Sequence, residues 1–333
     1  MSTIANVVDS ALEWSIFGSF TRTGYDLRKR LDHWRNPDTG SMVNKVVIIT
    51  GATSGLGLNT AHALAALGAT VCMVVRNWEK AQQICAQLRS ETNNSRVEFI
   101  IADTGDLNAI RSAAAELITK YPAIDVLIHN AGALDDVRQV SPQGIELTVA
   151  SQVIGPFLLT ALLQNALRAA APSRVLWVSS GGMYSEPLSV NELEMSAGNY
   201  RGVTAYARAK RAQVTLSEML AAHFRNEHIH VHAMHPGWAD TPGVARSLPT
   251  FRRIVGPLLR TPAQGADTLI WLATDNDAPL ASTGQLWLDR RPRPLHRLAS
   301  TQRSDTPDER QRLWRWVTEK SGADLGGPPR VSA

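Results

Sequence analysis

A glycine-rich run, Thr50-Gly51-Ala52-Thr53-Ser54-Gly55-Leu56-Gly57, lies between a short apolar stretch at 46–50 and a helical one at 58–67. This strand–glycine–helix junction restricts the fold more than any other feature of the chain. Glycines there permit a tight turn and let backbone N–H groups approach a pyrophosphate at the helix N-terminus. The strand before and the helix after separate such a loop from an ordinary glycine turn. Gly51, Thr53, Ser54, Gly55, Leu56 and Gly57 are the candidate phosphate-cradling residues.

The alternation continues downstream. Strand-like runs at 70–75, 96–101, 126–130, 174–179, 229–235 and 285–289 are interleaved with helical runs at 78–89, 107–120, 145–170, 205–223 and 262–273. Strands alternating with helices imply parallel pairing with helices on both faces. The expected fold class is α/β, a single doubly wound parallel sheet (Rossmann-like) with an N-terminal helical extension and a C-terminal helix. Thr306-Pro307-Asp308-Glu309 opens that last helix with a capping Thr, Pro in the first turn and acids at its positive end.

With 333 residues, 44% of them hydrophobic, the chain has enough apolar surface for one sizeable core. Its 34 basic and 30 acidic residues give +4, which calls for no nucleic-acid partner. Two cysteines, Cys72 and Cys85, exclude a disulfide scaffold and a multi-thiolate zinc site. His228, His230 and His232 alternate, but no Cys or acid completes a metal shell, so no metal is expected. No stretch approaches the ~20 apolar residues of a membrane span, and Asp9 and Glu13 interrupt any signal core. A soluble, cytoplasmic protein is expected.

Residues 1–42 read as an extension. Ile4, Val7, Val8, Ala11, Leu12 and Ile16 form one helical stripe, followed by a basic linker. The stripe is expected to dock on the protein's own surface or on a partner subunit, as in a homo-oligomer. Peripheral contact with a membrane, Trp14, Phe17 and Phe20 at its border, is the alternative. Residues 43–300 form the main domain, with substrate lids at about 181–203 and 238–260. Arg290, Arg291, Arg293 and Arg297 read as a solvated, extended stretch. Residues 301–333 supply the C-terminal helix and a tail that frays from Gly326.

Further candidates gather at the carboxyl edge of the sheet, where open α/β sheets bind ligands. The second strand ends Val75-Arg76, offering a guanidinium fork to a ribose 2′-phosphate where NAD-selective sites carry an acid. Asp103, after the third strand, either accepts from an adenine amino group or caps a helix. Asn130-Ala131-Gly132 ends the fourth strand and Ser179-Ser180 the fifth. His235-Pro236-Gly237, with Thr241 beyond, ends the sixth. Tyr206 and Lys210 stand four apart on one helix face. A neighbouring cation favours the phenolate of a Tyr whose free pKa is ~10, fitting it to move a proton to or from an oxygen.

These motifs, in this order, resemble the short-chain dehydrogenase/reductase family of the compact type, over about residues 45–289. Within it, SSGGM (179–183), HPGWADTPGV (235–244), QGADT (264–268) and, more loosely, DRRP (289–292) resemble the group called dehydrogenase/reductase member twelve, which also carries an N-terminal extension. The resemblance implies hydride exchange between a nicotinamide and a carbonyl/alcohol pair. Tyr206 would be the acid/base, Lys210 would lower its pKa and bind the nicotinamide ribose, and Ser180 would hydrogen-bond the reacting oxygen. Asn130, Ala131 and Gly132 would support the cofactor, with Pro236, Gly237 and Thr241 beside the nicotinamide. Gln152 departs from the pattern. It stands where the family has a catalytic Asn that kinks the helix and holds a relay water behind the Lys, and its longer stem is expected to shift that water.

The lids hold Met183, Tyr184, Leu188, Met195 and Tyr200, then Trp238, Val244, Leu248, Phe251, Ile254, Val255 and Leu258, a lining for a lipophilic substrate. The expectation is an oxidoreductase preferring NADP(H) over NAD(H) and acting on a lipophilic small molecule. The alternative is a cofactor-binding sensor or scaffold of the same fold with weak or no turnover.

Overall fold

The computed structural model describes residues 3–247 and 249–329. Leu248 and residues 330–333, part of the expected frayed tail, lie outside them, as do the side chains of Thr3 and Ile4. Three helices lead: α1 (Thr3–Trp14), α2 (Ile16–Phe20) and α3 (Arg22–Leu31). The alternating body follows as β1 (Val46–Thr50), α4 (Gly55–Ala66), β2 (Thr70–Val75), α5 (Trp78–Thr92), β3 (Val97–Ile101), α6 (Leu107–Lys120) and β4 (Val126–His129). A short α7 (Leu147–Val149) passes through a π-turn into α8 (Gly155–Ala169), then come β5 (Ser173–Val178), α9 (Gly202–His223) and β6 (Ile229–Met234). Helices α10 (Pro242–Ser247), α11 (Pro249–Val255), α12 (Pro262–Thr274) and α13 (Ala278–Ala281) precede β7 (Leu286–Leu288) and β8 (Arg291–Arg293). The described chain closes with α14 (Ala299–Ser304) and α15 (Pro307–Ser321).

The strands form one sheet in the order β3-β2-β1-β4-β5-β6-β7-β8. All neighbours run parallel except β8, which turns back antiparallel on β7. Helices cover both faces, so the central strands are apolar without alternation: VVIIT, TVCMVV, VLIH. Leu64, Ala65, Leu88, Leu269 and Leu272 pack one face, and Ile110, Leu117, Phe157, Leu163 and Leu216 pack the other. The chain moves outward from β1 to β3, then returns to place β4 on the other side of β1. That reversal opens a crevice at the carboxyl ends of β1 and β4.

Two elements depart from expectation. The run expected as one helix at 145–170 is interrupted by a π-turn over Ala150–Ile154. Helix residues Leu147–Ala169 are also long and apolar enough to cross a membrane by length and composition, contrary to the reading that no stretch is. Here that helix is mostly buried, packed on the sheet beside α6 and under α15. Phe157 on it meets Trp314 of α15 edge-on at 5.3 Å, which anchors the C-terminal helix.

The extension docks on the body by its polar side. Arg28 is buried and donates to Asp9 at 2.7 Å, Glu13 at 2.8 Å and Asp289 at 2.7 Å. Asp289 also accepts from Arg260 at 2.7 and 2.9 Å. Asp9 receives Arg293 at 2.7 and 2.9 Å and Arg291 at 3.1 Å, while Arg297 holds Glu13. The 290–297 stretch is therefore held to the body by ion pairs, with Arg291–Arg293 as its edge strand, and is not a solvated tail. Composition alone suggested exposure, but each guanidinium finds an acid or a carbonyl. Asp289 and Arg290 turn the β7–β8 hairpin with φ of 55° and 54°, and Arg290 is tied to Asp267 at 2.8 Å. Own-surface docking of the extension is seen, but of the apolar stripe Val7, Ala11 and Ile16 are exposed and Val8 and Leu12 only half-buried, the Ile4 side chain lying outside the described residues.

Candidate active site

The glycine loop is held by its neighbours. Thr50 Oγ1 accepts from the backbone N–H groups of Asn130 and Ala131 at 3.1 and 3.0 Å. Asn130 Nδ2 donates to the carbonyls of Thr50 and Gly51, both at 3.0 Å. A methyl at Gly51 would lie 2.7 Å from Ala131 Cα, and one at Gly57 would strike the Asn130 amide. Both positions admit only glycine. Ser54 is the N-cap of α4 but makes no capping bond, so the first-turn N–H groups carry no side-chain cap. Thr53, Ser54, Gly55 and Leu56 are half-buried around them. Thr241 closes the loop from the lid, 3.5 Å from where a side chain on Gly55 would start.

Arg76 follows β2 with its side chain exposed and has no carboxylate partner among the described residues. Asp103 does not cap α6; Asp106 does, accepting from Asn108 N at 3.0 Å. Asp103 Oδ1 instead closes a tight turn through Gly105 N at 2.8 Å. A cradle that only glycine fits and a cation without an internal partner suit the phosphates of a dinucleotide.

At the reaction end, Lys210 is buried, with Nζ donating to the Val178 carbonyl at 2.9 Å and lying 5.2 Å from the centre of the Tyr206 ring. Ser180 faces the Tyr206 side chain closely enough to act on its hydroxyl. Ser180 Oγ also accepts from Gly182 N at 3.3 Å, whereas Ser179 turns inward and donates to the Lys210 carbonyl at 3.2 Å. Burial pushes Tyr206 up, with Ser180 pulling the other way. Burial also pushes Lys210 down from 10.5 to about 7. Among the chain's own groups, then, burial dominates both residues, and Ser180 rather than Lys210 is the group that lowers Tyr206.

Gln152 sits in the π-turn, a feature common where helices carry function. Its backbone carbonyl, released from the helical ladder, accepts from Gln213 Nε2 at 2.5 Å, and its own Nε2 donates to the Ala133 carbonyl at 2.6 Å. Its Oε1 is buried without a partner. A side chain at Gly132 would start 2.9 Å from that oxygen and 3.4 Å from Lys210 Nζ, so amide and ammonium flank one point.

Pro236 and Gly237 follow β6. Gly237 has φ +70°, and a Cβ there would meet Arg260 Nε at 2.5 Å and the Phe20 carbonyl at 2.7 Å. Phe20 is a site residue that sequence reasoning missed. It is buried on the edge of the crevice, its ring 4.6 Å from His235 and against Gly181, its carbonyl accepting from Trp238 N at 2.8 Å. Only the aromatic spacing of the extension hinted at it. Of the lid residues, Met183, Tyr184, Leu188 and Val255 are buried in the body, Met195, Tyr200, Trp238, Val244 and Phe251 are half-buried, and Ile254 and Leu258 are exposed.

Residues 45–250 match the short chain dehydrogenase family. The chain belongs to the short-chain dehydrogenase/reductase family. It is 34% identical to human dehydrogenase/reductase SDR family member 12 over 294 residues, 88% of this chain and 91% of that one. It is 29% identical to human retinol dehydrogenase 13 over 286 residues, 84% of this chain and 85% of that one. A short chain dehydrogenase from Escherichia coli, complexed with NADPH, superposes with a TM-score of 0.63 at 25% identity, covering 77% of this chain and 100% of that one. As a short-chain dehydrogenase/reductase, this protein is an NAD(P)-dependent oxidoreductase with a Rossmann-like sheet.

Proposed function

We propose that this oxidoreductase interconverts a carbonyl and an alcohol on a lipophilic small molecule, using NADP(H) in preference to NAD(H). The observation that carries the reading is the buried Lys210 with its Nζ 5.2 Å from the centre of the Tyr206 ring, Ser180 facing that tyrosine, at the sheet edge beside the glycine cradle. A bound nicotinamide dinucleotide supplies or accepts the hydride. Gly51, Thr53, Ser54, Gly55, Leu56 and Gly57 hold its phosphates, Asn130, Ala131 and Gly132 brace them, and Pro236, Gly237 and Thr241 close over the nicotinamide end.

Ser180 orients the reacting oxygen. Tyr206 gives a proton to it in reduction and takes one in oxidation. The anionic phosphates favour the charged form of Lys210, which then lowers the cost of a phenolate on Tyr206. Gln152 holds the proton-relay position behind Lys210. Arg76 receives the 2′-phosphate, which has no acid to repel it there. The aromatic mouth of Phe20, Trp238 and Phe251 favours an apolar substrate, as does similarity to proteins named for retinol, itself lipophilic.

The test has two arms. Dissociation constants for NADPH and NADH are compared in wild type and Arg76→Ala; equal affinities, or an unchanged ratio, overturn the 2′-phosphate assignment. Turnover is screened over retinoid, steroid and fatty carbonyls, and Tyr206→Phe is expected to abolish it while NADPH binding stays intact. Activity surviving that change removes Tyr206 as acid/base. The rival, a non-catalytic sensor or scaffold, requires that no carbonyl turn over although NADPH binds. The complete Tyr206, Lys210 and Ser180 set argues against it.

A further inference from the structure

The extension is amphipathic, and while Ala5, Phe20 and Tyr25 are buried, much of the apolar surface of α1 and α2 is turned outward. Asp9 and Glu13 face the body and meet Arg28, Arg293 and Arg297. Val7 is 65% exposed, Trp14 92%, Ile16 52% and Phe17 58%. This outer face continues onto the lid. The Phe17 ring stands edge-on to Trp238 at 5.0 Å, and Trp238 to Phe251 at 5.2 Å. One turn on from Phe251, Ile254 is 75% exposed.

Cations border the apolar surface. Arg22, Leu27 and Arg30 of α3 line a shallow cleft with Pro257 and Leu258, and Arg252 and Arg253 line another beside Gly256. Asp26 and Asp240 pair with Arg22 and Arg252. Arg30 and Arg253 have no carboxylate partner among the described residues.

We propose that this face is a docking surface for an anionic lipid bilayer. Trp and Phe within an apolar face edged by arginine is the composition of helices that lie in the membrane interface. The unpaired guanidiniums select a negatively charged leaflet. At 12 and 5 residues, α1 and α2 are too short to span a bilayer and lie on it. A second copy of the chain is a poor occupant, because both copies of the face would bring the unpaired Arg30 and Arg253 while their acids Asp26 and Asp240 are already paired with Arg22 and Arg252. The proposal rests on surface chemistry alone and is independent of the substrate and cofactor assignments.

The test is flotation of the full-length protein with phosphatidylcholine vesicles, with and without about one-third phosphatidylserine. Wild type is expected to float with the anionic vesicles only, and to be released by high salt. Trp14→Glu with Ile254→Glu should weaken binding at least about tenfold. Arg30→Glu with Arg253→Glu should weaken it by more than about thirty-fold, the value for losing the two cations alone. Circular dichroism and NADPH affinity should be unchanged in both double variants. Equal flotation with the two vesicle types, or either variant floating as wild type does, overturns the proposal. So does a concentration-dependent dimer in light scattering that Trp14→Glu breaks, which would assign the face to a second copy.

Discussion

Arg28→Ala should undock the N-terminal extension while leaving the sheet folded. The substitution deletes five hydrogen bonds, to Asp9, Glu13, Asp289, the Ser19 carbonyl and the Ser19 hydroxyl. Removing one partner from a buried ion pair costs about 3–5 kcal/mol. The lower end applies, because the acids left behind keep other cations. Asp289 retains Arg260, Asp9 retains Arg293, and Glu13 retains Arg297. About 3 kcal/mol corresponds to a shift on the order of 100-fold in the docking equilibrium. Trypsin cleavage between 30 and 45 reads that equilibrium directly when reclosing is fast, so the cleavage rate should rise by a similar factor. The urea midpoint of the sheet should barely move, and substrate KM should rise as Phe20 leaves Gly181, with NADPH affinity unchanged. Asp289→Ala should cost nearer the upper end, since it sets Arg28 against Arg260. Cleavage within about threefold of wild type would refute the reasoning. A single unfolding transition shifted as far as the cleavage rate would also refute it, by making the extension part of the core.

The partnerless Gln152 Oε1 beside Lys210 predicts that Gln152 is a working member of the relay. Gln152→Ala should lower kcat about tenfold, or ~1.4 kcal/mol of barrier, with NADPH affinity unchanged; a tenfold rise in kcat for Gln152→Asn would show instead that the longer side chain impairs it. Lys210 is held down to about 7, and phosphate binding favours its charged form, so NADPH binding should take up a proton above pH 7 and weaken as pH rises. Calorimetry in buffers of different ionisation enthalpy measures that uptake, and zero uptake at pH 8 refutes it. Asp9 is lowered from 3.8 to about 2, net of burial raising it and the pairs with Arg293 and Arg28 lowering it further. Its contribution to docking is fully present above pH 3.8 and lost as pH falls through 2, so Trp fluorescence should report release of the extension in that window.

The strands and motifs were legible because their signals are local. Thr70–Val75 and Leu107–Lys120 begin and end where their apolar runs and caps do. The glycine loop, Asn130–Gly132, Ser180, Tyr206 and Lys210 each sit at a strand end or on one helix face, so parallel topology alone gathers them. The π-turn was not legible, since the carbonyl it frees is satisfied by Gln213, sixty-one residues away. Nor was the sense of the extension. Periodicity shows that α1 has an apolar side, but which side faces the body depends on arginines near the other end of the chain. The same arginines, read by composition, suggested a solvated stretch, because their acids lie in the extension.

The ion pairs between the two ends of the chain also set an order of events during synthesis. Arg28 precedes Asp289 by 261 residues, and Asp9 precedes Arg293 by 284. At about 5–20 residues per second, the extension leaves the ribosome roughly ten to sixty seconds before its partners exist. Through that interval Asp9 and Glu13 have only Arg28, within the extension itself, as a cationic partner, and Arg28 lacks its partner Asp289. The extension, made before the sheet is complete, is thus closed onto it last. A ribosome stalled before residue 289 holds out an extension without the Asp289 and Arg293 it closes on.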